Sequence, residues 1–177
     1  VWPELNVNVV STTEQWAGAA IAGPKSRDML SKLYPDLDVS NDALPFMGYK
    51  EAEFFGVPSR IFRISFSGEL AYEINVKSDH GMFMWEKMME VGKEFGNQPY
   101  GTEALSTLRI EMGHVAGPEL DGRTIPSDVS LNGLVSKKKD FIGKNSLGRE
   151  AFNVESRQKI VGLIPIDRKS SIPEGSH

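Results

Sequence analysis

The acidic residue best placed for chemistry is Glu73. It lies in the string Arg63-Ile64-Ser65-Phe66-Ser67-Gly68-Glu69-Leu70-Ala71-Tyr72-Glu73-Ile74-Asn75-Val76, where Leu70, Tyr72, Ile74 and Val76 alternate with Ala71, Glu73 and Asn75. A period of two sends alternate side chains to opposite faces of a strand. The apolar set belongs to a core, so the Glu73 carboxylate is expected to leave that core and meet a cleft or solvent. In a cleft it would offer two acceptor oxygens to a ligand edge carrying paired N–H donors. On the preceding arm Phe62, Ile64 and Phe66 alternate with Arg63 and Ser65. Ser67-Gly68-Glu69 then supplies a tight turn, with Gly68 free to take positive φ. Whether Phe66 and Glu73 share a face depends on that turn.

Other residue types with chemical potential have simpler readings. His114 titrates near neutrality in principle, but no second metal ligand or nucleophile stands at a recognisable spacing, so a surface or loop-bonded histidine is expected. Arg109 and Glu111, two apart, cannot face each other on a helix. A structural role for Arg109, tying its helix to the following loop, stands beside ligand contact. Gly23 alone makes no phosphate cradle. The run Lys137-Lys138-Lys139 reads as a solvated face.

Composition narrows the classes. The chain has 177 residues, 40% hydrophobic and 25% charged, with net charge −4. That is enough to bury a core in one domain or two small ones. No basic surplus supports nucleic-acid binding. There is no cysteine, which excludes disulfides and thiolate chemistry and fits a reducing compartment such as the cytoplasm. No apolar run approaches the roughly 20 residues of a membrane helix. The Val1-Trp2-Pro3 start carries neither an initiator Met nor a signal peptide, which suggests a fragment of a longer chain.

The elements that must position Glu73 follow from periodicity. Residues 7–13 are rich in Val and Thr and suit a strand. Residues 17–22 form a second strand running into Gly23-Pro24 and a helix through Met29, Leu30 and Leu33, which stops before Pro35. Residues 36–47 read as a loop, and residues 49–55 and 58–65 as a hairpin around Gly56-Val57-Pro58. From 80 to 92, Met82, Trp85 and Met89 recur at i, i+3 and i+7, predicting an amphipathic helix whose apolar stripe packs on the sheet. Thr102 is a candidate N-cap for a helix with Leu105, Leu108 and Met112 on one face, closed by Gly113. Residues 115–135 form a long loop, 147–152 a short helix, and 158–166 an alternating strand. The class predicted is α+β, an antiparallel sheet with packed helices.

Five of these elements, in order, resemble the aminomethyltransferase family, the glycine-cleavage T-proteins. They are the Gly23-Pro24 helix, the Ser67-Gly68-Glu69 hairpin ending in Tyr72-Glu73-Ile74, and the helix Leu108-Arg109-Ile110-Glu111-Met112-Gly113. The element Lys137-Lys138-Lys139-Asp140-Phe141-Ile142-Gly143-Lys144 and the strand at 158–166, which opens a C-terminal β-barrel in that family, complete the set. The wording at 100–105 and 117–124 is most similar to the family branch found in α subunits of heterotetrameric sarcosine oxidases.

The resemblance implies a partial folate-binding domain over 1–156 and the first strand of a truncated barrel over 157–177. It implies that Glu73 grips the pterin ring of tetrahydrofolate, with Phe66 and Tyr72 as apolar walls. The expected partners are folate and other sarcosine oxidase subunits, with FAD, FMN and NAD elsewhere in the complex; no dinucleotide G-x-G-x-x-G occurs here. The parent reaction would demethylate sarcosine and pass the one-carbon unit to tetrahydrofolate.

Three departures qualify it. Phe66 stands where T-proteins have a tyrosine, and Leu105 where they have a folate-holding arginine. The family's essential aspartate lies upstream of every matching segment, so no catalytic residue is expected here and the fragment alone is expected to be inactive. The alternatives are an aminomethyltransferase or a dimethylglycine or sarcosine dehydrogenase of the same fold, or a non-catalytic folate-binding scaffold.

Overall fold

A four-stranded antiparallel sheet in the order β1-β4-β3-β2 forms the centre. Its strands are β1 Trp16–Ala22, β2 Tyr49–Phe54, β3 Val57–Phe62 and β4 Ala71–Lys77. The computed structural model describes residues 4–173, leaving 1–3 and 174–177 outside. Its contacts divide the chain into two compact units, Val1–His114 and Val115–His177.

In the first unit, β4 obeys its alternation. Tyr72, Ile74 and Val76 are fully buried, while Glu73 and Asn75 on the other face are half-buried. The β2–β3 hairpin turns on Phe55 and Gly56, at φ 49° and 84°. Two consecutive positive-φ residues make a two-residue turn whose twist matches that of the strands. Helices α1 Ser26–Leu33 and α2 Gly81–Gly92 contribute to the core, which gathers Met29, Leu30 and Leu33 with Phe54, Ile61 and Ile74. One polar link in this core joins α1's end to the sheet: Tyr34 and Ser59 share a hydrogen bond of 2.9 Å, and Ser59 Oγ donates to Ala52 O. Burial pushes the Tyr34 hydroxyl up to about 12, its bond to Ser59 acting weakly the other way.

Several expectations need correction. Residues 7–12 carry no strand, and Val7, Val9 and Val10 are 67%, 92% and 77% exposed. Strand-favouring residues form no strand without a neighbour to pair with. The arm at 63–66 is not strand either. Arg63 bonds back to Gly48 and Met47, and β3 pairs with β4 only over Ser59–Phe62. The chain then bows through residues 63–70 as a wide loop, with Gly68 at φ 83° as its sharpest point.

On α2 the buried residues are Met84, Met88 and Gly92, at i, i+4 and i+8, while Met82 and Trp85 are 70% and 45% exposed. The helix α3 Thr102–Glu111 is capped by Gly101, and the Thr102 side chain makes no cap bond. Arg109 is 6% exposed and donates from Nη1 to His114 O at 3.2 Å, tying the helix end to the loop after it, one of the two roles its sequence position left open.

Among the described residues the second unit holds short 3₁₀ turns and one helix, α4 Lys144–Leu147, with a 3₁₀ turn at Glu150–Phe152 where a single helix over 147–152 was expected. Residues 158–166 carry no strand assignment. Asp128 organises this unit. Arg157 donates from Nε to Asp128 Oδ1 at 2.9 Å and from Nη2 to Oδ2, and Ile125 N donates to Oδ2 at 3.0 Å. The Arg157 pair, with the Ile125 N–H second, holds the Asp128 carboxyl down at about 2.

An aspartate depressed from its free value of roughly 3.9 stabilises the fold above that pH, and the contribution disappears as pH falls through the folded value. The Ile125 amide resonance is therefore expected to titrate with a midpoint near 2. A midpoint at roughly 4, that of a free aspartate, would mean that the clasp is absent.

Candidate ligand cleft

The floor of the cleft is made from the smallest side chains. On the face that Glu73 shares, the register sets Ala20 opposite Glu73, Gly18 opposite Asn75 and Ala22 opposite Ala71. From Gly18 to Ala22 no β1 side chain on that face exceeds a methyl group, the larger Trp16 lying at the far end beside Lys77, so a flat molecule can approach the backbone opposite Glu73. A Cβ at Gly18 would stand 2.8 Å from Asn75 Oδ1, so any larger residue there would have to turn the Asn75 side chain aside.

Along this strand, at the edge of the sheet, runs a cleft of about 630 Å³. That is within the range of small-molecule sites. Trp85, Met88 and Met89 of α2 form one wall, and Ile64, Phe66 and Ser67 from the 63–70 loop form another. Phe95, Tyr100 and Leu105 also line it.

Glu73 lies in this lining. It is half-buried, and its carboxylate makes no hydrogen bond or ion pair among the described residues. A carboxylate set among apolar walls favours a donor-bearing ligand, because bonds to an ionised acceptor are stronger there than in water. Phe66, 41% exposed, lies in the same lining, and its ring packs on His114 at 4.7 Å between centroids. The 63–70 loop thus brings Phe66 and Glu73 to one cavity, which strand alternation alone left open.

Tyr72 is not brought there. It is fully buried on the opposite face, with the Arg27 guanidinium 5.8 Å above its ring and its hydroxyl without a hydrogen-bond partner among the described residues. Burial raises its hydroxyl's pKa, with Arg27 and Arg63 acting in the opposite direction. Neighbours on a strand point to opposite faces, so the chain cannot present both Tyr72 and Glu73 to one cleft.

Trp85, Phe95 and Tyr100 are aromatic lining residues that sequence reading missed as site residues. The signal for Trp85 was present in the double apolar stripe of α2. The Met84–Met88 stripe serves the core and the Trp85–Met89 stripe the cleft, which Met88 also reaches. His114 is a surface residue that packs on Phe66. No grouping of three or more His, Cys, Asp or Glu suited to a metal occurs among the described residues.

Comparison with known proteins agrees with this architecture. The sarcosine oxidase subunit alpha of Corynebacterium sp. (strain P-1) is 46% identical over 177 residues, covering 99% of this chain and 18% of that protein. The aminomethyltransferase of Chloroherpeton thalassium is 33% identical over 163 residues, covering 91% of the chain and 44% of that enzyme. The mouse mitochondrial dimethylglycine dehydrogenase is 30% identical over 174 residues, covering 97% and 20%. The chain thus spans about a fifth of the length of the oxidase and dehydrogenase relatives. The GCVT N-terminal domain matches residues 2–139, and the chain, an α+β fold with an antiparallel sheet, belongs to that family.

Proposed function

We propose that this chain forms the tetrahydrofolate-binding region of a sarcosine oxidase α subunit. The observation that carries the reading is Glu73: a half-buried carboxylate with no described protein partner, on a Gly/Ala floor between apolar walls. The pterin of tetrahydrofolate has a planar ring and an edge of paired N–H donors, and both features suit this lining. Glu73 accepts from the donor edge. Phe66 and Trp85 cover the ring and keep water from it.

When bound, tetrahydrofolate supplies nitrogen atoms that accept a one-carbon unit, released by oxidation of sarcosine at a flavin. In this reading FAD, FMN and NAD are held by other parts of a multi-subunit complex in the cytoplasm. Phe66 and Leu105 favour the oxidase branch over an aminomethyltransferase. Both line the cleft, and neither offers the hydroxyl or guanidinium expected of aminomethyltransferases at these positions.

Residues 1–156 then form the folate-binding domain and 157–177 the entry to a further barrel. The exposure of Val161, Leu163 and Ile164, at 73%, 74% and 78%, supports this, since a barrel interior would cover such side chains.

Anaerobic titration of the purified protein with tetrahydrofolate, followed by calorimetry and tryptophan fluorescence, tests the reading. A saturable one-to-one signal with quenching that disappears in Trp85→Phe is expected. Absence of saturable heat at millimolar ligand would overturn it.

A further inference from the structure

The cleft holds one anionic and one cationic side chain, Glu73 and Lys25. Lys25 lies beyond Gly23 and Pro24, where the chain leaves β1 for α1. It is exposed, and its Nζ donates to Phe95 O over a long 3.5 Å. Three other cationic side chains of the unit are committed outside the cleft: Arg27 to Val39 O and Asn41, Lys32 to Glu94, and Arg60 to Glu51 and the Trp16 ring.

We infer that Lys25 is a specificity-determining residue that takes the anionic tail of the ligand whose ring Glu73 holds. The inference rests on the folate reading of the cleft and adds the part of the molecule that reading leaves unassigned. A ligand with a donor-rich ring and an anionic end fits a cavity with one charge of each sign. A neutral or cationic ligand would leave Lys25 opposed or unused. Reduced folates carry glutamyl carboxylates on the end away from the pterin, and longer glutamyl chains bring more negative charge to the same lysine. Because Lys25 is exposed, the attraction is screened by salt and of surface-pair size, about threefold to tenfold in affinity.

The test uses three probes on the purified protein: tetrahydrofolate with one glutamate, tetrahydrofolate with five, and 6-methyltetrahydropterin, which has the ring and no tail. Dissociation constants are measured for wild type, Lys25→Met and Lys25→Arg at 50 and 500 mM salt, with thermal unfolding as a check on the fold. Wild type is expected to bind the pentaglutamate tightest, with an advantage that shrinks at high salt.

Lys25→Met is expected to lose about fivefold for the glutamylated probes and to keep 6-methyltetrahydropterin within twofold. Lys25→Arg should restore the tail-dependent part. Unchanged affinity of Lys25→Met for the glutamylated probes overturns the inference while leaving the folate reading intact. An equal loss for the tail-less pterin also overturns it, since Lys25 would then act on the ring or the fold. If wild type binds none of the three, the folate reading fails and this inference with it.

Discussion

Glu73→Gln is expected to weaken tetrahydrofolate binding by about 10- to 100-fold, the equivalent of roughly 1.5–3 kcal/mol for a hydrogen bond to a charged acceptor. The substitution keeps the side chain's shape and replaces one acceptor oxygen with a donor NH₂, which faces the ligand's own donors. Thermal stability should not change, because Glu73 has no described partner to lose. Titration of both proteins with the same reduced folate, alongside their unfolding curves, provides the measurement. Equal affinities would remove Glu73 from the site. A lowered melting temperature would instead make it a structural residue.

The second large effect separates two adjacent residues of α2. Met84 is 2% exposed and belongs to the core, whereas Trp85 is 45% exposed and lines the cleft. Truncating a buried methionine leaves a cavity and costs about 2–5 kcal/mol. In a domain of this size that lowers the melting temperature by roughly 10 °C or more.

Trp85→Ala removes a larger side chain but opens no hole in the core, so stability should hold within about 1 kcal/mol. Its loss appears in ligand affinity, about threefold to tenfold, as expected for an aromatic partner taken from a bound ring. Differential scanning calorimetry and ligand titration of the two variants distinguish them. If Trp85→Ala destabilised the protein as much as Met84→Ala, the cleft-facing stripe would be a second core.

The same pair shows where sequence reading succeeds and where it stops. On β4 the alternation was clean, and it correctly separated Glu73 from Tyr72, Ile74 and Val76. The resemblance suggested Tyr72 as a wall, against that alternation, and the buried hydroxyl shows that the backbone's period of two decides. On α2 the pattern was ambiguous because Met82, Phe83, Met84, Trp85, Met88 and Met89 are all apolar. Two stripes one residue apart both satisfy helical spacing, and only the packed sheet selects between them.

The 63–70 loop was legible at one residue. Gly68 does adopt positive φ, but a tripeptide signal cannot report that β3 leaves its neighbour at Phe62. Residues 7–12 have strand composition, yet pairing depends on what lies beside them. Lys25 gave no signal either, since a single lysine beside a glycine and a proline resembles any helix entrance.

Phe66 rests on His114, and Gly68 lies so close to Met112 that a Cβ there would stand 2.2 Å from the Met112 side chain. The loop that carries the cleft's aromatic wall is therefore seated on the last turn of α3 and the residues just after it. Arg109 fastens that same stretch by bonding to His114 O. Displacing the end of α3 would move the wall, although Met112 and His114 do not line the cavity. Sequence differences at 109, 112 and 114 among related proteins would thus act as adjustments to ligand fit made from behind the wall, and a comparison confined to cavity-lining positions would miss them.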